Sequence, residues 1–244
     1  MKYNPTQSHP KRRTLRLFTL ASCLLFLGGL SAARAGEVFS SDFSKGTFDA
    51  LGWAVKGDWS IMDYADKKPD LAKNPGPVAV FAANGKTSGS LTKKFDATAG
   101  SGALTLTFDA GFGWGNKSHV QKFQVMLLDA DGNGYVFDVH RTKATWGAQW
   151  ENVTKNGYND PLHWAHTPID TTQEAVVNGA GLRTFTVTRG ATGNWTFNGD
   201  GWTGGPLTFT DATTTSFSQV VLCGFPNTDE IVFGKVKLET SAAK

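Results

Sequence analysis

The sequence predicts an all-β protein, a two-sheet antiparallel β-sandwich that follows an N-terminal export signal. Three observations carry this. Apolar and β-branched residues recur in short alternating runs punctuated by Gly, Asn and Asp, and no long helical period interrupts them. The chain opens on a basic segment followed by an apolar one. The residues beyond that opening contain a single cysteine, Cys223, so they hold together without an internal disulfide.

The opening carries Lys2, Lys11, Arg12, Arg13 and Arg16 without an acid, then the apolar stretch Leu17 to Leu30. Ala33-Arg34-Ala35 supplies the small-x-small pattern of a signal-peptidase site, which places cleavage before Gly36. The apolar run is short for a membrane span. Two alternatives remain: Leu20-Ala21-Ser22-Cys23 has the form of a lipobox, in which Cys23 would carry a lipid, and an uncleaved signal would itself be an anchor. Membrane association is expected only in those two cases, and the expected destination is secreted or periplasmic.

Six of the 24 Lys and Arg lie in residues 1–35 and none of the 21 acids does, so residues 36–244 hold 18 bases against 21 acids, a balance of −3. The basicity of the whole sequence belongs to the leader. No Lys/Arg stripe remains to attract a polyanion, which argues against nucleic acid as a partner. The 209 residues from Gly36 to Lys244 suit one β-sandwich domain. Cys223 lies in the run Val220-Val221-Leu222-Cys223 and reads as a small buried hydrophobe.

Strands are expected at 59–64, 78–82, 90–95, 103–110, 123–129, 135–140, 183–189, 194–198, 217–223 and 230–239. Asp131-Gly132-Asn133-Gly134 and Ala191-Thr192-Gly193 read as hairpin turns, since their residues tolerate positive φ. In Leu104 to Phe108 the apolar side chains share one face, and in Thr184 to Thr188 the threonines share the other. Each strand is therefore half buried, as a sandwich requires. Between Thr145 and Leu182 the strand pattern fades, and the segment reads as a long loop.

Four stretches together resemble the concanavalin A-like lectin/glucanase superfamily, in its bacterial laminin-G-like jelly-roll group. They are Phe43 to Phe48 with Trp53 and Gly57-Asp58-Trp59-Ser60-Ile61; Leu104 to Asp109; Leu127 to Asp138; and Arg183 to Asn198. The resemblance implies a jelly roll whose concave face or rim loops bind polysaccharide or another glycan, sometimes with a structural calcium. It does not imply catalysis. The retaining glucanases of that superfamily carry alternating acids of the E-x-D-x-x-E kind on one strand. The five glutamates beyond the leader, Glu37, Glu151, Glu174, Glu230 and Glu239, form no such set. The expected function is thus a noncatalytic glycan-binding domain. The alternatives are a polysaccharide lyase or glycoside hydrolase of the same fold using Tyr158, His140, His163 or His166, and a surface module that binds proteins.

The candidate ligand residues are Trp146, Trp150, Tyr158, Trp164, Asp138 and His140. The four aromatic residues sit among Gln149, Asn152, Asn156 and Asn159, and flat rings stack on the apolar face of a pyranose while amides bond its hydroxyls. The same rings equally serve to pin a loop onto the sandwich. Asp138 and His140 share one face of their strand, where the acid can orient the imidazole. An exposed polar pair is the simpler account.

No cofactor is expected. Asp129 to Gly134 matches half an EF-hand loop, but its twelfth position is His140, so a plain hairpin turn is the better reading. A calcium joining Asp42 with Asp49 or Asp229 is allowed by the resemblance and demonstrated by no spacing. His163 and His166 bind a metal as a pair only on a helix, and no third ligand is evident.

Overall fold

The computed structural model describes residues 36–44, 46–63, 76–82, 87–98, 103–112, 121–141, 146–154, 165–175, 182–200, 202, 205–225 and 230–241, with the backbone alone described at 121, 140, 141, 146–154 and 165–175. The described residues fall within one compact unit, Ala32–Lys244. They contain no helix and form two antiparallel sheets.

The first sheet contains β1 (Gly36–Ser41), β3 (Trp59–Asp63), β4 (Pro77–Phe81), β6 (Ala103–Phe112), β11 (Arg183–Arg189), β12 (Asn194–Gly199), β13 (Leu207–Thr210) and β15 (Ile231–Ser241). Its order is β13-β12-β11-β6-β15-β4-β3, with β1 also on β15. The last strand is its centre. One edge of β15 is covered along its length by β6, while the other takes β4 at Ile231 to Phe233 and β1 at Val236 to Thr240. A register shift between Phe233 and Val236 marks the changeover.

The second sheet contains β2 (Trp53–Lys56), β5 (Gly89–Lys94), β7 (Gln121–Leu128), β8 (Gly134–Arg141), β9 (Trp146–Thr154), β10 (Ala165–Ala175) and β14 (Gln219–Gly224), in the order β10-β9-β8-β7-β14-β5-β2. The two expected hairpins form. At β7–β8, Asp129 Oδ1 accepts from the backbone N–H groups of Asp131 (2.9 Å) and Asn133 (2.8 Å), and Gly132 takes a φ of 86°. The half EF-hand is a turn whose first carboxylate is spent on its own backbone. At β11–β12 the tight return rests on Gly193 at φ 81°.

Residues 146–154 and 165–175, expected as loop, are an edge hairpin. The sequence WGAQWENVT lacks apolar alternation because tertiary pairing with β8 decides its conformation. Pro168 is tolerated because β10 is an edge strand that pairs only with β9 among the described strands. The short strands β1, β2 and β13 were also beyond the expected set.

Alternation drives the inner faces together. Leu104, Leu106 and Phe108 of β6, Phe185 and Val187 of β11 and Phe197 of β12 meet Phe123, Val125 and Leu127 of β7 and Phe137 and Val139 of β8 in one core. Aromatic rings bridge the sheets, as Phe123 does with Phe185 (5.8 Å) and Phe233 (5.4 Å) and Phe137 with Phe197 (5.5 Å). Two fully buried indoles have partners, Trp53 donating to Ser41 Oγ at 3.1 Å and Trp195 to the Asp211 carbonyl at 3.0 Å, whereas the buried Nε1 of Trp59 and of Trp202 has none among the described residues.

Candidate site on the outer face of the seven-stranded sheet

The face of this sheet turned away from the core is where chemistry collects. Its polar positions line up across strands rather than along one: Ser90 of β5 pairs with Cys223 of β14, Cys223 with Gln124 of β7, Gln124 with Asp138 of β8, and Asp138 with position 149 of β9. In the next row Lys122 pairs with position 140, which pairs with position 147. Register alone therefore builds a transverse band from residues far apart in sequence.

Asp138 is the centre of that band. Gln124 Nε2 donates to its Oδ2 at 2.8 Å, and Lys122 Nζ stands 2.5 Å from the same oxygen. The carboxylate is 1% exposed and Gln124 3%, whereas Lys122 is 34% exposed. The ammonium is thus the accessible end of a charge-assisted network whose acid lies beneath it. Lys122 also lies 5.2 Å from the centroid of the partly buried Phe225 ring.

One half of the same face is apolar. Met126, Leu128, Val136, Val221 and Cys223 form a cluster separate from the main core, with Phe225 against it, and each of the five is 0% exposed. Cys223 is a buried thiol outside any disulfide. The face is therefore amphipathic across its width.

Each sequence candidate has a definite place or lies outside the described residues. Asp138 stands on the outer face, and position 140 is two residues along the same strand and so on that face too. Position 150 pairs with Phe137 and position 146 with Arg141, the set alternating with 147, 149 and 151. Tyr158, Trp164 and His163 lie outside the described residues, while position 166 belongs to β10, opposite Val153. Lys122, Gln124, Ser90 and Phe225 were missed. Gln124 was the available signal, a polar residue within the apolar run QKFQVMLL, and only cross-strand register joins it to Asp138.

Of the residues named for calcium, Asp42 and Asp49 are described and Asp229 is not. Asp42 Oδ1 accepts from the Ser44 N–H at 3.0 Å, and Asp49 lies in the turn before β2. Asp42 instead shares a surface cavity of about 260 Å³ with Asp109 and Lys235. Among the described residues, no group of three or more His, Cys, Asp or Glu is arranged to hold a metal.

The sequence matches no protein-family profile and no curated protein. Solved structures do resemble it. The CBM2 module of the evolved Dit of Lactobacillus casei BL23 phage J-1 matches with a TM-score of 0.56 at 13% identity, over 84% of this chain and 96% of that one. The carbohydrate recognition domain of Emp47p matches at 0.53 and 12%, over 88% and 100%. The conserved carbohydrate esterase vb_24B_21 from the Shiga toxin-encoding bacteriophage phi24B matches at 0.54 and 14%, over 85% and 100%. At such identities the likeness is one of fold: an antiparallel sandwich of the kind found in lectin domains and carbohydrate-binding modules.

Proposed function

We propose that this chain is an exported, noncatalytic carbohydrate-binding jelly roll of the concanavalin A-like kind, which takes a glycan on the outer face of its seven-stranded sheet. The observation that carries the reading is the transverse network Lys122–Asp138–Gln124, a charged hydrogen-bonding group spread over two strands of a face that the core does not use. The accessible group of the network is the Lys122 ammonium, from which a sugar hydroxyl accepts, held in place by the buried Asp138 carboxylate. Phe225 beside Lys122 supplies an apolar surface of the sort a pyranose face rests on. Positions 146 and 150 alternate with this face, and Tyr158 and Trp164 lie outside the described residues, so the proposal rests on Lys122, Gln124 and Asp138 rather than on those four aromatic residues.

Glycan-array binding tests it. Retention of a polysaccharide that is lost in Lys122→Ala and Asp138→Asn, with both variants still folded, is the expected result. Absence of binding to every polysaccharide tried would overturn the reading. Release of unsaturated or reducing sugar ends, abolished in His140→Ala, would replace it with the lyase or hydrolase alternative.

A further inference from the structure

The interior holds a cation with no salt bridge among the described residues. Arg189 ends β11 on its core-facing side, following Phe185 and Val187, in register with Leu104 of β6 and Trp195 of β12. It is 2% exposed. Its Nε and Nη1 are buried and have no hydrogen-bond partner. Among the described residues no ion pair joins it to a carboxylate. Asp211 reaches the same surroundings, its side chain bonding to the Tyr135 hydroxyl while its Oδ1 also accepts from the Thr213 N–H at 2.7 Å and the Thr213 hydroxyl at 2.5 Å.

The walls are aromatic. The guanidinium carbon is 5.8 Å from the centroid of Trp195, whose ring lies 4.5 Å from Tyr135 and 5.8 Å from Phe217. Tyr135 comes from the other sheet, so the group sits between the sheets at one end of the sandwich. A lysine in such a place sheds its proton, but a guanidinium cannot. Contact with an aromatic face offsets only part of the cost of burying a charge. The remaining donors call for a negative group.

We propose that Arg189 is the centre of an interior site for a small monovalent inorganic anion, bound by its free Nε–H and Nη1–H donors and walled by Trp195, Tyr135 and Phe217. The site lies inside the sandwich and is independent of the glycan-binding face. Anion occupancy completes the charge balance of the core, so the protein is more stable in weakly hydrated anions that fit than in fluoride.

The experiment is an iodide titration of the protein at constant ionic strength, balanced with fluoride, read by tryptophan emission and by melting temperature. Wild type is expected to show a saturable quench and a melting temperature higher in iodide than in fluoride. In Arg189→Met the quench becomes linear and the melting difference disappears. Trp195→Phe removes the saturable quench while keeping the melting difference. Should Arg189→Met fail to fold, Arg189→Lys, which lacks the planar fork, is expected to need at least about tenfold more iodide for half-saturation. Linear quenching in wild type, an unchanged titration in Arg189→Lys, or melting that ignores the anion would each overturn the site and leave water as the solvent of the guanidinium.

Discussion

Tyr135 shows how one side chain ties the two sheets and sets a pH limit. Its ring packs against Trp195 and Phe209, and its hydroxyl accepts from the Thr214 N–H at 3.4 Å. Burial pushes the hydroxyl above its ordinary range; the Thr214 bond and the Arg189 charge oppose that rise and Asp211 adds to it. A phenol harder to ionise in the folded state favours folding below the unfolded value, about 10, and loses that contribution as pH climbs to the folded one. Thermal melts from pH 8 to 11 should therefore show a smaller alkaline loss in Tyr135→Phe than in wild type. Lys122 makes the complementary case. Lys122→Met removes one charged partner of the buried Asp138 carboxylate, and a loss of about 1 kcal/mol in denaturant unfolding is expected, reduced from a fully buried pair because the ammonium is partly in water.

Among elements, the crossing of β5 and β14 depends on two glycines. Gly89 and Gly224 are register partners, and both lie under Phe81 of the opposite sheet: a Cβ on Gly89 would stand 2.5 Å from Phe81 Cε2, and one on Gly224 would clash with Phe81 Cδ1 and stand 2.6 Å from Cγ. Gly224→Ala must displace a fully buried aromatic, at a cost of about 1–3 kcal/mol in chemical denaturation. Strands with strong alternation, such as Arg183–Arg189, could be read from sequence to the residue, because one buried face fixes their period. The pair β9 and β10 could not, since its conformation comes from β8 and its own residues carry little alternation. The candidate site divides the same way. Asp138 was visible as a polar position within Tyr135–His140, whereas Lys122, Gln124 and Phe225 join it through pairings across β7 and β14, which no local pattern encodes.

At the scale of the molecule, charge and topology carry the remaining expectations. Residues 36–244 alone carry −3, and if the proposed export signal is cleaved, N-terminal sequencing should begin at Gly36; a lipid-modified Cys23 as first residue would point to the anchored form instead. The placement of β15 makes the whole first sheet answer to the C-terminus. Deleting residues from Ile231 onward removes the partner of β1, β4 and one edge of β6 together, so a fragment ending before it should show neither cooperative unfolding nor native tryptophan emission.

The pairing of β1 with β15 has a kinetic consequence as well. Gly36 lies opposite Thr240, so among the described strands β1 waits for β15 before it has a neighbour. Contacts spanning nearly the entire chain close late and make folding slow. A chain made from its N-terminus therefore stays open along this sheet until Ile231–Ser241 has been added, and β1 locks only then.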